Sequence, residues 1–492
     1  MQLTTLGVVG AGPMGAGIAQ IGLTSGLNVV LYDLSQDALD KAAADIHARI
    51  ARMEEKGQLA AGFADAAKGR LVLASDLAPF APCEVVIEAI VERLDIKQKV
   101  FADLEAVVAP SAMLATNTSS LSVAAIAARC QHKERVCGLH FFNPVPLMKL
   151  VEVIVAPATS PEVAAWAVEV SKQIGKVPVS VKDAPGFLVN LQGRALALEG
   201  LAIVQEGVTD PATVDRIMRD AAGFRMGPFE LMDLTGIDVN YAASTYIYEG
   251  YQHDPRLKTT TLHQLMSNAG LFGRKTARGF FDYADGAKFP ATAPAPDLPV
   301  TVKPKLGASD GWGEGWDEIT TRPGFVAGDE VTLIAPIGED CATACARLGL
   351  DPKTTVAVDL TAAAAGHLTV MSAIGGGAVA ARVGDWLRGL GFRVEVIQDS
   401  PGFVLQRILG MIANLGCELA QIGVASPEDI DLAMKLAQNY PKGPVEFADW
   451  LGPQKAHAIM VQLQAITGSD RYRPSLWLRR RAQLGLSAYE QA

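Results

Sequence analysis

A chain of 492 residues is too long for one hydrophobic core, and at ~150 residues per domain it predicts about three. An apolar share of 49% with 20% charged residues excludes a disordered, fibrous or collagen-like protein. With 43 Lys and Arg against 53 Asp and Glu, the net charge of -10 repels nucleic acid and anionic membrane, so neither is expected as a partner. An anionic ligand must be met by a local basic patch.

The cysteines, Cys83, Cys130, Cys137, Cys341, Cys345 and Cys417, show no CxxC spacing. A disulfide framework, a zinc ribbon and a thioredoxin-like motif all lack support, and reduced, buried thiols with no metal site are expected. The first residues enter a strand-like run with no basic region or cleavage signal, so the cytoplasm is the expected location. The longest uncharged stretch, between Asp359 and Arg382, is interrupted by His367 and by Gly375, Gly376 and Gly377, so no membrane span is expected.

In chain order, short β-branched runs at 6–9, 29–32, 71–74, 85–88, 114–116, 136–140 and 151–155 read as strands, with helical patterns such as 37–55 and 94–108 between them. That alternation predicts a mostly parallel, doubly wound sheet. From about 185 to 283 the strand signal gives way to long Ala, Leu and Ile periodicities, which predict an all-helical domain. Pro290, Pro294, Pro296, Pro299 and Pro304 mark a linker, since no helix or central strand tolerates that density. Runs at 331–336, 355–360, 368–372 and 393–397 then predict a second, smaller α/β unit, and helical periodicity returns from 401 to the end.

The two helical segments are related. Asp183-Ala-Pro-Gly-Phe187 recurs as Asp399-Ser-Pro-Gly-Phe403, Val214-Asp215 as Ile430-Asp431, Gly227-Pro228 as Gly443-Pro444, and 230–236 as 446–452, each 216 positions later. A tandem duplication accounts for this, and two copies on one chain are expected to pair as an intramolecular pseudo-dimer, each covering apolar surface the other would leave bare. A homo-oligomer is compatible with the same duplication.

Gly10-Ala-Gly12-Pro13-Met14-Gly15 follows the first strand and opens a helical run at 14–24. In such a GxGxxG loop the first glycine makes the tight turn, the second lets the backbone approach a pyrophosphate, and the third lets helix and strand pack closely. The helix N-terminus supplies NH groups and partial positive charge for the phosphates. Asp33 ends the second strand, 18 residues past the last glycine, near the spacing of a carboxylate that binds a ribose diol. A carboxylate there repels a 2'-phosphate, so NAD is expected over NADP. The fold class expected is α/β: a Rossmann-type sheet at 1–183, an all-helical domain at 184–285, a Pro/Gly-rich linker at 286–324, a degenerate Rossmann-like unit at 325–398 and a second helical domain at 399–492.

Asn117-Thr118-Ser119-Ser120 stands at the carboxyl end of an apolar strand, where open parallel sheets place ligands. Further on, His140 is followed by Asn143, by a Pro144-Val145-Pro146 reversal and by Glu152. A lone histidine in an apolar run is commonly a core residue. Here, though, the reversal can return Glu152 to the imidazole. A His/Glu dyad suits alcohol oxidation, which needs a base for the hydroxyl proton and a carboxylate to fix the tautomer and steady the imidazolium.

These segments, with EAIVERLDIKQKVF at 88–101, NTSSLSV at 117–123, GLHFFNPVPLMKLVEV at 138–153, DAPGFLVN at 183–190, GPFELMDLTGIDVN at 227–240 and GRKTARGFFDY at 273–283, make the chain resemble an NAD-dependent 3-hydroxyacyl-CoA dehydrogenase. The duplicated C-terminal part is similar to the long bacterial form of that family. The resemblance implies oxidation of an (S)-3-hydroxyacyl-CoA to the 3-oxoacyl-CoA, with 3-hydroxyadipyl-CoA in phenylacetate degradation as the expected substrate and 3-hydroxybutyryl-CoA as the alternative. It implies His140 as general base, Glu152 as its orienting carboxylate, Ser119 touching substrate and nicotinamide, Asn190 near the reacting oxygen and Asn143 in positioning. Asn117, Glu92, Lys97 and Lys275 fall among its cofactor contacts. Arg49, Arg52 and Lys56, spaced 3 and 4 apart on one helical face, suit the phosphates of the CoA moiety.

The chain departs from the family pattern in places. Leu191 rather than a basic residue follows Asn190, with Arg194 a turn later, and in the repeat Gln406 replaces Asn190. Ala335-Pro336-Ile337-Gly338-Glu339-Asp340 is read as a degenerate counterpart of the glycine loop, whose acidic residues repel a pyrophosphate, so the second half is expected to be a structural copy. Two rival classes account for less of the sequence. A serine hydrolase using Ser119, His140 and Glu152 lacks the GxSxG elbow and leaves the glycine loop idle. An NAD-binding protein without turnover leaves the His/Glu/Asn/Ser set idle.

Overall fold

A computed structural model describes residues 2–286, 291–297 and 299–490; Pro290 of the expected linker lies outside the described residues. The chain forms two compact bodies, residues 1–189 with 423–438, and residues 190–422 with 439–492.

The first body is built on eight strands, β1 (Thr5–Val9), β2 (Asn28–Tyr32), β3 (Leu71–Ala74), β4 (Val85–Glu88), β5 (Met113–Thr116), β6 (Val136–Phe141), β7 (Leu150–Val155) and β8 (Val177–Lys182). Their order in the sheet is β3-β2-β1-β4-β5-β6-β7-β8. All pairs are parallel except β6–β7, so β7 and β8 run against the other six. The central strands are covered on both faces and so consist almost wholly of apolar residues. Leu6, Val8, Val29, Leu31, Ile87 and Leu139 form a core with Ile18 of the helix Pro13–Thr24 and with Leu39, Ile46 and Ile50 of the helix Gln36–Glu55.

β8 escaped the sequence reading because Pro178 interrupts it. Pro is tolerated here because β8 is an edge strand, where one side needs no ladder donor. That edge is covered by residues 423–438 of the second repeat: Lys182 donates its N–H to the Val424 carbonyl at 2.9 Å. Ser180 donates its N–H to the Asp429 carboxylate. A segment far away in sequence thus protects the edge from pairing with another chain, and the expected domain 399–492 is divided between the two bodies.

The second body holds β9 (Pro304–Leu306), β10 (Val331–Ile334), β11 (Thr355–Asp359), β12 (His367–Met371) and β13 (Arg393–Val396), ordered β13-β12-β11-β10-β9. β9 and the helix Glu314–Thr320 lie inside the expected linker. Trp316 and Ile319 of that helix are buried beside Val331, Val358 and Leu360, a packing that proline density alone did not reveal. Neighbours are parallel except β11–β12. This is the order and direction of β4 to β8. The second sheet therefore repeats the later half of the first and has no counterpart of β1 to β3. Loop 335–340, which follows β10, corresponds to the segment after β5 and not to the glycine loop, a correction to the sequence reading.

The repeated Asp-x-Pro-Gly-Phe motif has one structural duty in both copies. Asp183 accepts N–H bonds from Val123 and Ala124, at 3.1 and 2.8 Å, at the start of the helix Val123–Ile126. Asp399 does the same for Cys341 and Ala342, at 2.6 and 3.0 Å, opening the helix Cys341–Leu348. The carboxylates supply the acceptors that helix N-termini lack. Within the second body, Gln192 of the helix Val189–Gln205 donates to the Ile412 carbonyl of the equivalent helix Leu405–Gln421 at 3.0 Å. Arg471 reaches Glu199 at 2.8 Å, and Arg407 binds Glu199 and Tyr472 with no exposure to solvent. All six cysteines are free and buried. Among the described residues no helix is long and apolar enough to cross a membrane.

Candidate active site

Gly10 adopts φ +107, a conformation L side chains rarely take, and a Cβ there would lie 2.5 Å from the Ala89 carbonyl oxygen. A Cβ on Gly15 would fall 1.8 Å from the Gly10 carbonyl oxygen, so only glycine lets the helix start that close to the strand. Gly12 differs: nothing lies within 4 Å of its missing Cβ. It caps the helix Pro13–Thr24 without a side-chain acceptor, which leaves the helix's first N–H groups facing open space. Asp33 accepts the Ala11 N–H at 2.8 Å and the Ser35 N–H at 3.0 Å, so its carboxylate is held beside the loop. Open backbone approach, uncapped N–H groups and an adjacent carboxylate together fit a dinucleotide.

His140 on β6 and Glu152 on β7 are directly opposed in the antiparallel pair. The reversal at Pro144 and Pro146 turns the chain so that twelve positions in sequence become one rung of a ladder. His140 Nδ1 and Glu152 Oε2 are 2.6 Å apart. The other carboxylate oxygen accepts the Leu188 and Val189 N–H groups at 3.0 and 2.9 Å. Glu152 is fully buried, and Phe142 and Phe187 flank the imidazole at 4.6 and 5.7 Å. With Nδ1 committed to the carboxylate, Nε2 is the nitrogen left to meet a ligand.

At the ends of β4 and β5 a second carboxylate system organises the Asn117–Ser120 segment. Glu88, which the sequence reading missed, is fully buried; it accepts from Lys97 Nζ at 2.6 Å and from Thr116 Oγ1 at 2.7 Å. Lys97 is buried too and lies 3.3 Å from Glu92. Glu92 gathers the Thr118 hydroxyl at 2.5 Å, the Ser119 N–H at 3.0 Å and the Ser120 hydroxyl at 2.9 Å. Burial opposes the Glu92 charge, but the Thr118 hydroxyl, the Lys97 ammonium and the Ser120 and Ser119 donors outweigh it and hold the carboxyl below its ordinary range. The buried Lys97 ammonium is therefore spent on the Glu88 and Glu92 carboxylates. Asn117 Oδ1 accepts the Phe141 N–H at 2.8 Å, tying this segment to the strand that carries His140, and Ser119 is exposed.

A cavity of about 730 Å³ lies in the same body. Gly12 and Pro13, the expected cations Arg49, Arg52 and Lys56, and Asn143 all line it. Lys41, also in its wall, was not foreseen, although it lies on the same helical face. The wall from Asn143 to Leu147 is braced from below by Lys176, whose ammonium donates to the Val145 carbonyl and, at 2.7 Å, to the Met148 carbonyl. Burial pushes the Lys176 ammonium down to about 8. No local pattern in the sequence distinguishes Lys176 from a solvated lysine.

Asn190 and Lys275 belong to the second body. The Asn190 carbonyl accepts Arg194 Nε at 3.0 Å, and Arg194, almost fully buried, also donates to Ser244 Oγ at 2.8 Å. Burial lowers the Arg194 guanidinium to about 10. This arginine anchors the turn where the usual basic neighbour of Asn190 is absent. Lys275 pairs with Asp238 at 2.5 Å and lies over the Phe272 ring at 5.0 Å.

The family model for the 3-hydroxyacyl-CoA dehydrogenase NAD binding domain matches residues 5–184. The model for the 3-hydroxyacyl-CoA dehydrogenase C-terminal domain matches twice, at residues 186–283 and 402–490. A 3-hydroxyadipyl-CoA dehydrogenase of Escherichia coli K12 is 36% identical over 493 aligned residues, covering 100% of this chain and 99% of that protein. A 3-hydroxybutyryl-CoA dehydrogenase of Bradyrhizobium diazoefficiens is 38% identical over 58% of this chain and 96% of its own. The crystal structure of a 3-hydroxybutyryl-CoA dehydrogenase from Escherichia coli K12 matches with a TM-score of 0.88 and 37% identity, covering 100% of both chains. The fold and the glycine loop define an NAD-dependent oxidoreductase. More particularly, the chain belongs to the 3-hydroxyacyl-CoA dehydrogenase family, and its reaction is the NAD-dependent oxidation of a 3-hydroxyacyl-CoA.

Proposed function

We propose that His140 Nε2 takes the hydroxyl proton of the 3-hydroxyacyl thioester while Glu152 fixes the imidazole tautomer and stabilises the imidazolium that forms. The observation that carries this is the 2.6 Å cross-strand pair, which commits Nδ1 and frees Nε2. NAD, when bound, supplies the hydride acceptor. Gly10, Gly12, Pro13, Met14 and Gly15 would hold its pyrophosphate and Asp33 its ribose, while Glu92, positioned by Lys97, and Asn117 shape the segment that presents Ser119. Arg49, Arg52 and Lys56 bind the CoA phosphates along the cavity wall, and Asn143 positions the thioester. Asn190, near the reacting oxygen, and Lys275, toward the nicotinamide half, rest on the motif match.

The full-length relative is named for the adipyl thioester, so 3-hydroxyadipyl-CoA, a step in phenylacetate degradation, is the substrate proposed first, and 3-hydroxybutyryl-CoA second. The division at 1–183, 184–285, 286–324, 325–398 and 399–492 is retained as the evolutionary description, with β9 and the helix Glu314–Thr320 assigned to the second sheet. The second half serves as the structural partner in an intrachain pseudo-dimer, and the protein works in the cytoplasm. NADH consumption with acetoacetyl-CoA and with 3-oxoadipyl-CoA tests the assignment. Turnover of at least one, abolished in His140→Gln while NADH still binds, is expected; equal turnover by that variant would remove His140 from the base role.

A further inference from the structure

The C-terminal repeat carries a second cavity, of about 640 Å³, within the second body. Two arginines line it, Arg473 and Arg479, together with His457 and the amides of Gln421, Gln464 and Gln483. Among the described residues neither guanidinium is in an ion pair, although the chain as a whole is acidic. The acids nearby are already engaged. Glu418, in the wall, is bound by Arg256 at 3.0 Å, and Arg256 also takes Asp254 at 2.8 Å. Asp470 accepts the Gln464 amide at 3.2 Å. Burial, and then the charge of Arg479, push the His457 imidazole below its ordinary range, so the imidazole lies in the field of that unneutralised guanidinium.

The first repeat carries larger aromatic rings at two equivalent positions. His457 and Gln464 stand 216 positions after Tyr241 and Tyr248. In the first copy those rings are packed, Tyr241 edge-on to the buried His263 at 5.3 Å and Tyr248 against His253 at 5.0 Å. Smaller polar side chains replace both in the second. The final helix is capped by Thr260 in one copy and Ser475 in the other, and four residues past the cap Arg479 stands where the first copy has Gln264. The second copy has smaller side chains at both positions and a positive charge beside them.

We propose that this cavity is a binding site for a small doubly charged oxyanion, a phosphate ester or a dicarboxylate, bridging Arg473 and Arg479. Guanidinium groups pair with either by parallel, charge-assisted hydrogen bonds, and both arginines are exposed as well as lining the cavity, so a ligand can reach them from solvent. Gln421 spends its carbonyl on the Trp477 N–H at 2.6 Å, which turns its amide NH₂ to the ligand. Gln464 spends its NH₂ on Asp470, so it lines the wall without adding a donor. Val461 and Leu476 supply an apolar wall for the body of the molecule. The volume lies within the range of small-molecule sites, ~300–1,000 Å³.

The test is calorimetric titration of the full chain, saturated with NADH and free coenzyme A so that the dehydrogenase sites are filled, with inorganic pyrophosphate and separately with adipate. One binding event per chain with either anion is expected, and which anion binds identifies the source. The double variant R473M/R479M should weaken it about tenfold or more, the equivalent of one charge-assisted hydrogen bond, while unfolding midpoint and kcat stay unchanged. Val461→Phe, which fills the space and keeps both arginines, should weaken it as well. Absence of binding by either anion at millimolar concentration, or unaltered binding in both variants, overturns the proposal.

Discussion

Glu152→Gln isolates charge from shape. The amide is nearly isosteric, and its oxygen can still accept the Leu188 and Val189 N–H groups that Glu152 Oε1 accepts at 3.0 and 2.9 Å, so the fold should hold. Its NH₂ then faces His140 Nδ1 at the position of a carboxylate oxygen now 2.6 Å away. That donor obliges Nδ1 to accept and moves the ring proton to Nε2, the atom that must receive the substrate proton. The imidazolium also loses its counter-charge. With charge centres ~4 Å apart and an effective dielectric of ~20, that attraction is about 4 kcal/mol, and at about 1.4 kcal/mol per decade it corresponds to a fall in kcat of ~10³-fold. Steady-state NADH formation at saturating thioester and NAD measures kcat; NADH fluorescence titration and a thermal melt should both match the parent. A kcat within about tenfold of the parent, with folding and NADH binding intact, would mean that the pair is structural and that proton transfer runs elsewhere.

Replacing Asp33 by Ser should move cofactor preference toward NADP by at least about tenfold in kcat/KM, since removing a like charge that costs several kcal/mol beside a 2'-phosphate is the main effect; an unchanged ratio would place the ribose elsewhere. The double variant R49M/R52M should raise KM for the thioester about tenfold and leave kcat within about twofold, because the phosphates are bound equally in ground and transition states. A change confined to kcat would contradict that role. Stability should fall in acid through His367, which burial, opposed by Glu395, lowers to about 4. A histidine whose folded value lies below its unfolded one, 6.5, is neutral in both states above that pH, and stability is lost as pH drops from there toward about 4. The limit is about 3 kcal/mol. His367→Met should therefore flatten the decline of the unfolding midpoint between neutral pH and pH ~5; an equally steep decline would show that other groups govern it.

Local chemistry was legible in the sequence wherever one segment contained all of its parts. The glycine loop, the Asp33 strand end and the His140 to Glu152 reversal each lie within some two dozen residues, and the structure closes each as the spacing requires. The arginine face on the helix Gln36–Glu55 was visible for the same reason. Pairings across long separations were not. Glu88 reads as one more residue of a buried strand until Lys97 is seen to fold back on it, and Lys176 meets carbonyls 28 and 31 positions away. Edge position hid β8, because Pro178 is evidence against a central strand and uninformative about an edge. The cover supplied by residues 423–438 depends on the duplication, and no local pattern announces it.

The second sheet sharpens what the duplication retained. Its five strands reproduce β4 to β8 in order and direction, and the Asp399 cap reproduces the Asp183 cap. The unit missing from it, β1 to β3 with the glycine loop, is the one that makes a dinucleotide site. Other losses are consistent with this. Leu368 stands 216 positions after Glu152 and is buried in the apolar core of the second sheet. Gln406, in place of Asn190, spends its carbonyl on the Gly338 N–H at 2.9 Å and its amide on Asp359 at 3.1 Å. A Cβ on Gly338 would lie 2.8 Å from the Ile459 backbone, so the loop is packed against protein, whereas the space at Gly12 is open. What persists instead is reciprocal strand-edge bonding: Gln398 donates to Val208 at 3.0 Å, as Lys182 donates to Val424 at 2.9 Å, with both residues of each pair related by the same 216. What the two copies share is therefore the strand-edge surface that joins each repeat to the other's sheet. Gln398→Pro, which deletes that N–H on one side alone, should lower the unfolding midpoint and leave the KM for NAD unchanged, whereas a parallel loss of NAD affinity would show that the second sheet contributes to the dinucleotide site after all.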